Sequence, residues 1–310
     1  MSTSSRPRRP LGRAVLVWTV RVAGALVALL VVGVGAVYGV SASRIARTYP
    51  VHAHAIPVSS DSAVIAHGQR LTQIKGCTEC HGANLAGHLM IDEPLFGRIA
   101  TANLTAGREG GLLTPEAFEL ALRHGMRPDG HSLLVMPSQE MANLSDEDVG
   151  AIYSYLRTIP AVKTTRIAPS VGPLARVLTV AGAFELTPAR VIAQEEPHKK
   201  APPVGATPEY GRYLAQSCTG CHRPDFTGGP LPGGPSSAPP VANLTPDQEE
   251  GIGKWSEDEF VTAVTTGVRP DAPPINGEFM PIKMTSQMTE TEKRAIYRYL
   301  RTVEAKKRAK

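Results

Sequence analysis

The stretch that decides the fold is Cys77-Thr78-Glu79-Cys80-His81, and it returns as Cys218-Thr219-Gly220-Cys221-His222. These two pentapeptides contain all four cysteines of the 310-residue chain, so none remains for a structural disulfide. The C-x-x-C-H spacing places two thiols on one helical turn, where they can form thioethers to the two vinyl groups of a haem, and the adjacent histidine then reaches the iron. The pattern predicts two covalently attached haem c groups.

Two other readings of a C-x-x-C pair are a zinc site and a thioredoxin-like redox pair. Both motifs here end in histidine, and both lie within a longer repeat. This combination favours haem attachment over either alternative.

The repeat extends well beyond the pentapeptides. A Gly-x-x-Leu run precedes each motif, at residues 68–71 and 211–214, and an Ala-Asn-Leu-Thr run follows each, at residues 102–105 and 242–245. Such self-similarity indicates two copies of one structural unit. We expect the Asn and Thr side chains to order the following loop, although Asn-Leu-Thr also matches an N-glycosylation acceptor.

Helix signals occupy equivalent places in both copies. Thr114-Pro115 and a capping box from Ser256 to Glu259 predict one pair of helix starts, while Ser145 and Thr289 predict another. These recurring helix starts predict an all-α fold.

The N-terminal region predicts a membrane anchor. Val22 to Val40 are 19 residues without a charge, long enough to span a bilayer, and an Arg-rich flank precedes them. The positive-inside rule places that flank in the cytoplasm and everything after about residue 42 outside. A cleaved signal peptide is the alternative.

The charge distribution argues against nucleic acid as a partner. The formal net charge is +5, but Arg and Lys are concentrated at the two ends of the chain. No basic stripe with interleaved aromatic residues runs through the middle, as nucleic-acid binding would require.

At these motifs the sequence resembles the class I cytochrome c family. It is similar in particular to membrane-anchored diheme cytochromes that serve as electron-transfer subunits of periplasmic alcohol and aldehyde dehydrogenases. The resemblance covers residues of about 60–160 and 205–303. It implies a few helices around each haem, with a loop methionine opposite the histidine. Trp255 matches a family motif, whereas the counterpart region at residues 110–113 lacks a tryptophan.

The sixth iron ligand has to be chosen among several methionines. Met136 and Met280 each precede a proline and each lie eight residues before the residue that opens the last-helix cap, a register that no other pair shares. The resemblance also implies the Met of a Met-Pro pair. A histidine ligand at the first haem, from His88 or His131, is the alternative; we expect both, and His124, to be solvated loop residues.

The predicted site residues comprise the attachment cysteines, the two histidines and the two methionines. They are Cys77, Cys80, His81 and Met136 in the first copy, and Cys218, Cys221, His222 and Met280 in the second. Arg127 and Arg269, each in an Arg-Pro-Asp turn, are candidates for pairing with a haem propionate, although a solvated turn is as plausible.

The expected organisation has five parts. A cytoplasmic arm and transmembrane anchor occupy residues 1–42, cytochrome c domains occupy 43–160 and 208–303, a Pro-rich linker occupies 161–207, and a basic tail occupies 304–310. The apolar centre of the linker, Pro173 to Phe184, is either plain linker or a short amphipathic piece on the membrane or between the domains.

Together these features predict an electron carrier rather than an enzyme. The expected protein is single-pass in the inner membrane, with its haem domains facing the periplasm or cell exterior. It would pass electrons from a periplasmic donor such as a dehydrogenase to a soluble cytochrome or a terminal oxidase. The alternative is a diheme peroxidase or thiosulfate-oxidising cytochrome, which needs an iron with an exchangeable position.

Overall fold

Helices dominate both halves of the chain, which the computed structural model describes over residues 11–192, 200–232, 234, 237–270 and 272–309. The Arg-rich arm at residues 1–10, a piece of the predicted linker at 193–199, and Asp271 lie outside the described residues. In the first half the elements are α1 (Leu11–Ala46), α2 (Ser62–Ile74), α3 (Cys77–His81), β1 (Leu89–Glu93), β2 (Gly97–Ala100), α4 (Pro115–His124) and α5 (Asp146–Leu156).

The second half repeats the helical part of this order. The elements are β3 (Ser170–Val171), α6 (Pro173–Val180), α7 (Pro208–Ala215), α8 (Thr219–His222), α9 (Glu257–Thr266), α10 (Ile282–Ser286) and α11 (Glu290–Leu300). Short 3-10 turns lie at Ser138–Glu140, Pro188–Arg190 and Gln216–Cys218.

The N-terminal helix α1 is long and apolar enough to cross a membrane. It has 36 residues, and its most apolar window has a mean hydropathy of 2.4 with none of it buried. Trp18 and Tyr38 stand 20 residues apart on it, a rise of about 30 Å, which matches the hydrocarbon thickness that separates the two aromatic belts of a membrane. A signal sequence would share this length and composition.

In each half the first helix crosses the last helix at a glycine. A Cβ atom at Gly68 on α2 would lie 1.9 Å from the carbonyl oxygen of Ala151 on α5, and one at Gly211 on α7 would lie 1.9 Å from that of Ala295 on α11. Only glycine permits so close a backbone approach. The Gly-x-x-Leu run therefore marks the helix crossing.

Each of the predicted capping residues caps a helix in the structure. Thr114 accepts a hydrogen bond from Ala117 N at the start of α4, and Ser145 accepts one from Asp148 N at the start of α5. Ser256 forms the predicted capping box with Glu259, and Thr289 forms a second. The helices therefore begin where the sequence predicts.

The all-α prediction is only partly correct, because the first half carries a small antiparallel sheet in the order β1-β2-β3. Leu89 pairs with Ala100 and Glu93 with Gly97 in the hairpin, and Gly97 then pairs with Val171. The third strand comes from the predicted linker, about 70 residues away along the chain, so no local pattern reveals it. In the second half the described part of the equivalent loop forms one bridge, Gly229 with Val241.

Among the described residues, the larger of two clusters of buried apolar side chains runs through both halves. It contains Leu71, Ile74 and Ile152 from the first and Leu214 and Ile296 from the second. The same ring pair recurs in each copy. Phe118 and Tyr153 have ring centroids 5.5 Å apart, and Phe260 and Tyr297 have theirs 5.6 Å apart. The tyrosine hydroxyls bond equivalent carbonyls, those of Leu113 and Trp255.

Candidate haem sites

The histidine of each C-x-x-C-H motif is buried and held by one ring nitrogen. His81 Nδ1 lies 2.7 Å from the carbonyl oxygen of Ala102, and His222 Nδ1 lies 2.9 Å from that of Ala242. A carbonyl can only accept, so each Nδ1 carries the hydrogen and each Nε2 keeps a lone pair. This is the arrangement that orients a metal-binding imidazole.

Burial lowers the pKa of both histidines, and the bonds to Ala102 and Ala242 only partly oppose this effect. The rings are therefore neutral near pH 7, which is the form that binds a metal.

The thiols lack the lowered pKa of a catalytic redox pair. Burial raises the pKa of Cys77 to about 12 and that of Cys218 to about 11, and it also raises the pKa of Cys80 and Cys221. A catalytic C-x-x-C pair needs a lowered pKa. Among the described residues no group of three or more His, Cys, Asp and Glu side chains could hold a metal ion, and all four cysteines are free.

After each motif the backbone turns in the same way. Gly82 and Arg223 follow the histidines with φ of 80° and 68°, and Leu85 and Phe226 have φ of 56° and 61°. Leu85 O accepts from Leu104 N at 2.8 Å, and Phe226 O accepts from Leu244 N at 2.8 Å. These turns bring the Ala-Asn-Leu-Thr run beside the histidine.

The asparagine of that run joins the loop to the chain beyond the last helix. Asn103 Nδ2 donates to Val162 O at 2.7 Å, and Asn243 Nδ2 donates to Lys306 O at 2.7 Å. Each Oδ1 also accepts from the backbone N–H two residues on, at Thr105 and Thr245. The expectation that these side chains order the loop is confirmed. Both are buried, which leaves neither amide accessible for glycosylation.

The two candidate methionines share one backbone geometry. Ser138 N donates to Met136 O and Ile282 N donates to Met280 O, both at 2.8 Å. The proline between each pair, Pro137 with φ −78° and ψ 52° and Pro281 with φ −76° and ψ 71°, is therefore the centre of an inverse γ-turn. Both methionines are half-buried at the edge of a short helix.

The other methionines in the described part of the chain occupy different environments. Met126, Met141 and Met288 are buried in the core, as expected for Met288, and Met90 is exposed. Met284 lies against the opposite half, since a Cβ at Gly76 would be 3.1 Å from its Sδ. Met136 and Met280 thus occupy equivalent positions in the structure as well as in the sequence.

The prediction that His124 is a solvated loop residue is wrong. It is the last residue of α4 and is buried, and its Nε2 lies 3.1 Å from Glu119 Oε1. Arg123 donates to the same carboxylate at 3.0 Å, so this region is a buried ionic cluster. The spacing of Glu119 and Arg123 on one helix face was the signal for it.

The other histidine candidates and the arginine candidates lie near the surface. His88 is exposed, and His131 lies half-buried in a turn with Asp129. Exposed Arg127 pairs with Asp129, and half-buried Arg269 donates to Pro273 O at 2.6 Å. These two arginines form solvated turns.

Contacts between the halves lie directly beside the motifs. Lys75, two residues before Cys77, donates from Nζ to Ser217 Oγ at 2.8 Å. Glu140 packs so closely on Gly220 that a Cβ there would be 2.0 Å from its Oε1. Burial raises the pKa of Glu140 to about 7, and the positive charge of Lys75 opposes the shift.

A pseudo-two-fold pattern of bonds surrounds these contacts. Tyr213 on α7 donates to Asp148 at 2.5 Å, and Arg70 at the equivalent position of α2 donates to Glu292 at 2.7 Å. Each acid also has a partner in its own half. His67 lies 2.7 Å from Asp148, and Tyr210 lies 3.4 Å from Glu292.

The predicted residues fit a haem c group in each half. The donor set is two unpaired thiols and a buried neutral imidazole with a free Nε2, and it is identical in both copies. Sequence reasoning missed the two carbonyls that orient the imidazoles, those of Ala102 and Ala242, although the repeated Ala-Asn-Leu-Thr run was their signal. It also missed Lys75 and Glu140, which only long-range contacts bring between the motifs.

These features define a protein of two homologous helical domains, each built around a C-x-x-C-H motif. The chain belongs to the cytochrome c family, whose sequence profile matches residues 65–160 and 209–304. Membership of this family supports haem c as the cofactor.

Several characterised proteins are similar over most of this chain. The cytochrome c subunit of alcohol dehydrogenase (quinone) from Gluconacetobacter polyoxogenes is 30% identical over 79% of this chain and 57% of its own length. The fructose dehydrogenase cytochrome subunit of Gluconobacter japonicus is 30% identical over 81% of this chain and 54% of its own length. A diheme cytochrome c-type protein of Cereibacter sphaeroides is 25% identical over 80% and 91%. The chain therefore spans little more than half the length of the dehydrogenase subunits.

Proposed function

We propose that the chain is a membrane-tethered diheme cytochrome c that carries electrons. Cys77 and Cys80 attach the first haem and Cys218 and Cys221 the second. The iron ligands are His81 with Met136, and His222 with Met280. The observation that carries this proposal is the exact recurrence, in both halves, of the carbonyl-held imidazole and the Met-Pro γ-turn.

The bound haem supplies a one-electron redox centre. The protein's own groups determine how that centre behaves. The carbonyls of Ala102 and Ala242 fix the imidazole planes and raise the basicity of Nε2. With the sulfur of Met136 or Met280 as its second ligand, each iron would have no open position for a substrate, which would favour outer-sphere electron transfer over peroxide or thiosulfate chemistry.

The proposed setting is the inner membrane, with α1 as an uncleaved single-pass anchor and both domains in the periplasm. The length and apolarity of α1 support the anchor. The relatives that are dehydrogenase cytochrome subunits support a periplasmic dehydrogenase as the electron donor. A soluble cytochrome or terminal oxidase then accepts the electrons. The domain limits proposed are 43–160 and 208–303.

Spectroscopy of the purified holoprotein tests this function. Its mass should exceed that of the polypeptide by two haems, and both ferric haems should be low-spin with a sulfur-to-iron charge-transfer band. Addition of a quinone-dependent alcohol dehydrogenase with its substrate should reduce both. A high-spin haem with peroxide turnover would instead establish the enzymatic alternative.

A further inference from the structure

The helix α6, in the predicted linker, is attached to the outer end of α1. Arg176 donates from Nη1 to Ser41 Oγ at 2.8 Å, and its guanidinium lies 4.9 Å from the centroid of the Tyr38 ring. Arg44 on α1 donates back to the Thr179 carbonyl at 2.5 Å. Ala175 and Thr179 are buried in this contact. The position of α6 is therefore fixed relative to the apolar span.

A second face of α6 is apolar and largely exposed, with Leu178 half-buried. Leu174, Val177, Leu178 and Ala181 follow the i, i+3, i+4, i+7 spacing of one helical stripe, which we call the α6 stripe. Leu174 is 43% exposed and Val177 is 48% exposed. No charged residue interrupts the stripe.

The turn of the β1-β2 hairpin adds to this surface. Leu174 N donates to Leu95 O at 2.9 Å, and Gly172 N donates to Phe96 O at 2.9 Å, so the turn is bound to the start of α6. Leu95 is 63% exposed. The sheet that the sequence failed to reveal thus carries a third large apolar side chain to the same place.

The position along α1 at which α6 is bound indicates what covers the α6 stripe. Tyr38 and Ser41 lie where the uncharged segment ends, and Arg44 is the first charged residue after Arg21. If α1 spans a bilayer, Tyr38 stands at the outer boundary of the hydrocarbon, and α6 is bonded to that level. An apolar stripe held there meets the acyl chains just below the headgroups.

We propose that the α6 stripe and Leu95 insert into the outer surface of the lipid bilayer and hold the first domain at a fixed orientation on it. This inference rests on the proposed anchor. It adds a second membrane contact and makes the segment after the first domain a membrane-bound element rather than a free tether.

Site-directed spin labelling of the full holoprotein in phosphatidylcholine–phosphatidylglycerol vesicles tests the proposal. Haem attachment consumes all four native thiols, so Leu95→Cys, Val177→Cys, Val31→Cys and Val204→Cys each supply a single reactive thiol for a nitroxide. Val31 lies within the uncharged part of α1, and Val204 is 77% exposed just before α7. Collision rates with oxygen, which concentrates in lipid, and with a water-soluble nickel complex report depth.

We expect the labels at positions 95 and 177 to collide with oxygen more often, relative to the nickel complex, than the label at 204 does. The label at 31 should show the highest ratio of oxygen to nickel collisions. If the labels at positions 95 and 177 show the same collision rates as the label at 204, while the label at 31 favours oxygen, the anchor is supported and the bilayer contact is overturned. The α6 stripe would then be a contact for a protein subunit. If 31 also favours the nickel complex, the anchor itself is wrong and the bilayer contact fails with it.

Discussion

The Tyr213 hydroxyl donates a 2.5 Å hydrogen bond to Asp148, which joins the first helix of one domain to the last helix of the other. Burial opposes ionisation of Asp148, yet the hydrogen bonds from His67 and Tyr213 outweigh it and lower its pKa. The related bond from Arg70 to Glu292 mirrors it across the pseudo-two-fold axis. The two domains are therefore joined by paired buried acids as well as by the chain that connects them.

Replacement of Tyr213 by Phe should destabilise the joined domains by about 1–3 kcal/mol, because a buried carboxylate loses its shortest hydrogen bond. The pKa of Asp148 should rise at the same time. Urea denaturation of the holoprotein in detergent, followed by circular dichroism, measures the loss. Tyr155→Phe is the matched control, since the Tyr155 hydroxyl makes no hydrogen bond among the described residues. Equal denaturation midpoints for the two variants would contradict a structural role for this bond.

Met136→Ala should leave the first haem attached, since both thioethers remain, but should open one axial position on its iron. The sulfur-to-iron band should fall by about half, the reduction potential of one haem should shift, and carbon monoxide should bind to it. Met141→Ala is the control. Met141 is buried in the core, so this variant should lose roughly 2–5 kcal/mol of stability with an unchanged spectrum. An altered spectrum only in Met141→Ala would reverse the assignment.

The features that the sequence predicts correctly are the local ones. The capping box at Ser256 and the N-cap at Thr114 each depend on residues within one helical turn. The repeat then supplied what a single copy could not, because the equivalence of Met136 and Met280 follows from comparing two registers.

The features that were missed depend on distant segments. Pairing of β2 with β3 joins Gly97 to Val171, and the two strands are only four and two residues long, too short for a periodic pattern to indicate them. The contact of Lys75 with Ser217 likewise depends on how two similar domains dock, and a repeat predicts the domains without predicting their interface.

Glu140→Gln should remove a pH dependence of stability. The folded pKa of Glu140, about 7, lies above the ordinary value of 4.5, so the folded state binds this proton more tightly than the unfolded state. The resulting stability is fully present below about pH 4.5 and is lost as the pH rises through 7. Because one pKa unit corresponds to about 1.4 kcal/mol and the side chain is partly exposed, we expect a loss of roughly 2 kcal/mol.

Urea denaturation of wild type and Glu140→Gln between pH 5 and 8.5 tests this, since other titrating groups cancel in the difference. The free energy of unfolding of the variant should increase relative to that of the wild type as the pH rises. Glu147→Gln, in the first turn of α5, is the control and should follow the wild type. A constant difference between wild type and Glu140→Gln across this range would contradict the raised pKa.

Gly68→Ala should be destabilising although alanine is the better helix former. Alanine inside a helix gains up to about 1 kcal/mol over glycine, but here its Cβ would lie 1.9 Å from the Ala151 carbonyl oxygen, and α2 must move away from α5. Overpacking of this kind commonly costs about 1–3 kcal/mol, so the net effect is a loss. Gly277→Ala is the control, because a Cβ there has no neighbour within 4 Å.

Since Cys77 follows α2 closely, separation of the helices should also weaken ligation of the first haem, visible as a reduced sulfur-to-iron band. A Gly68→Ala protein as stable as Gly277→Ala, with a full band, would show that the helix crossing tolerates a side chain and does not position the haem.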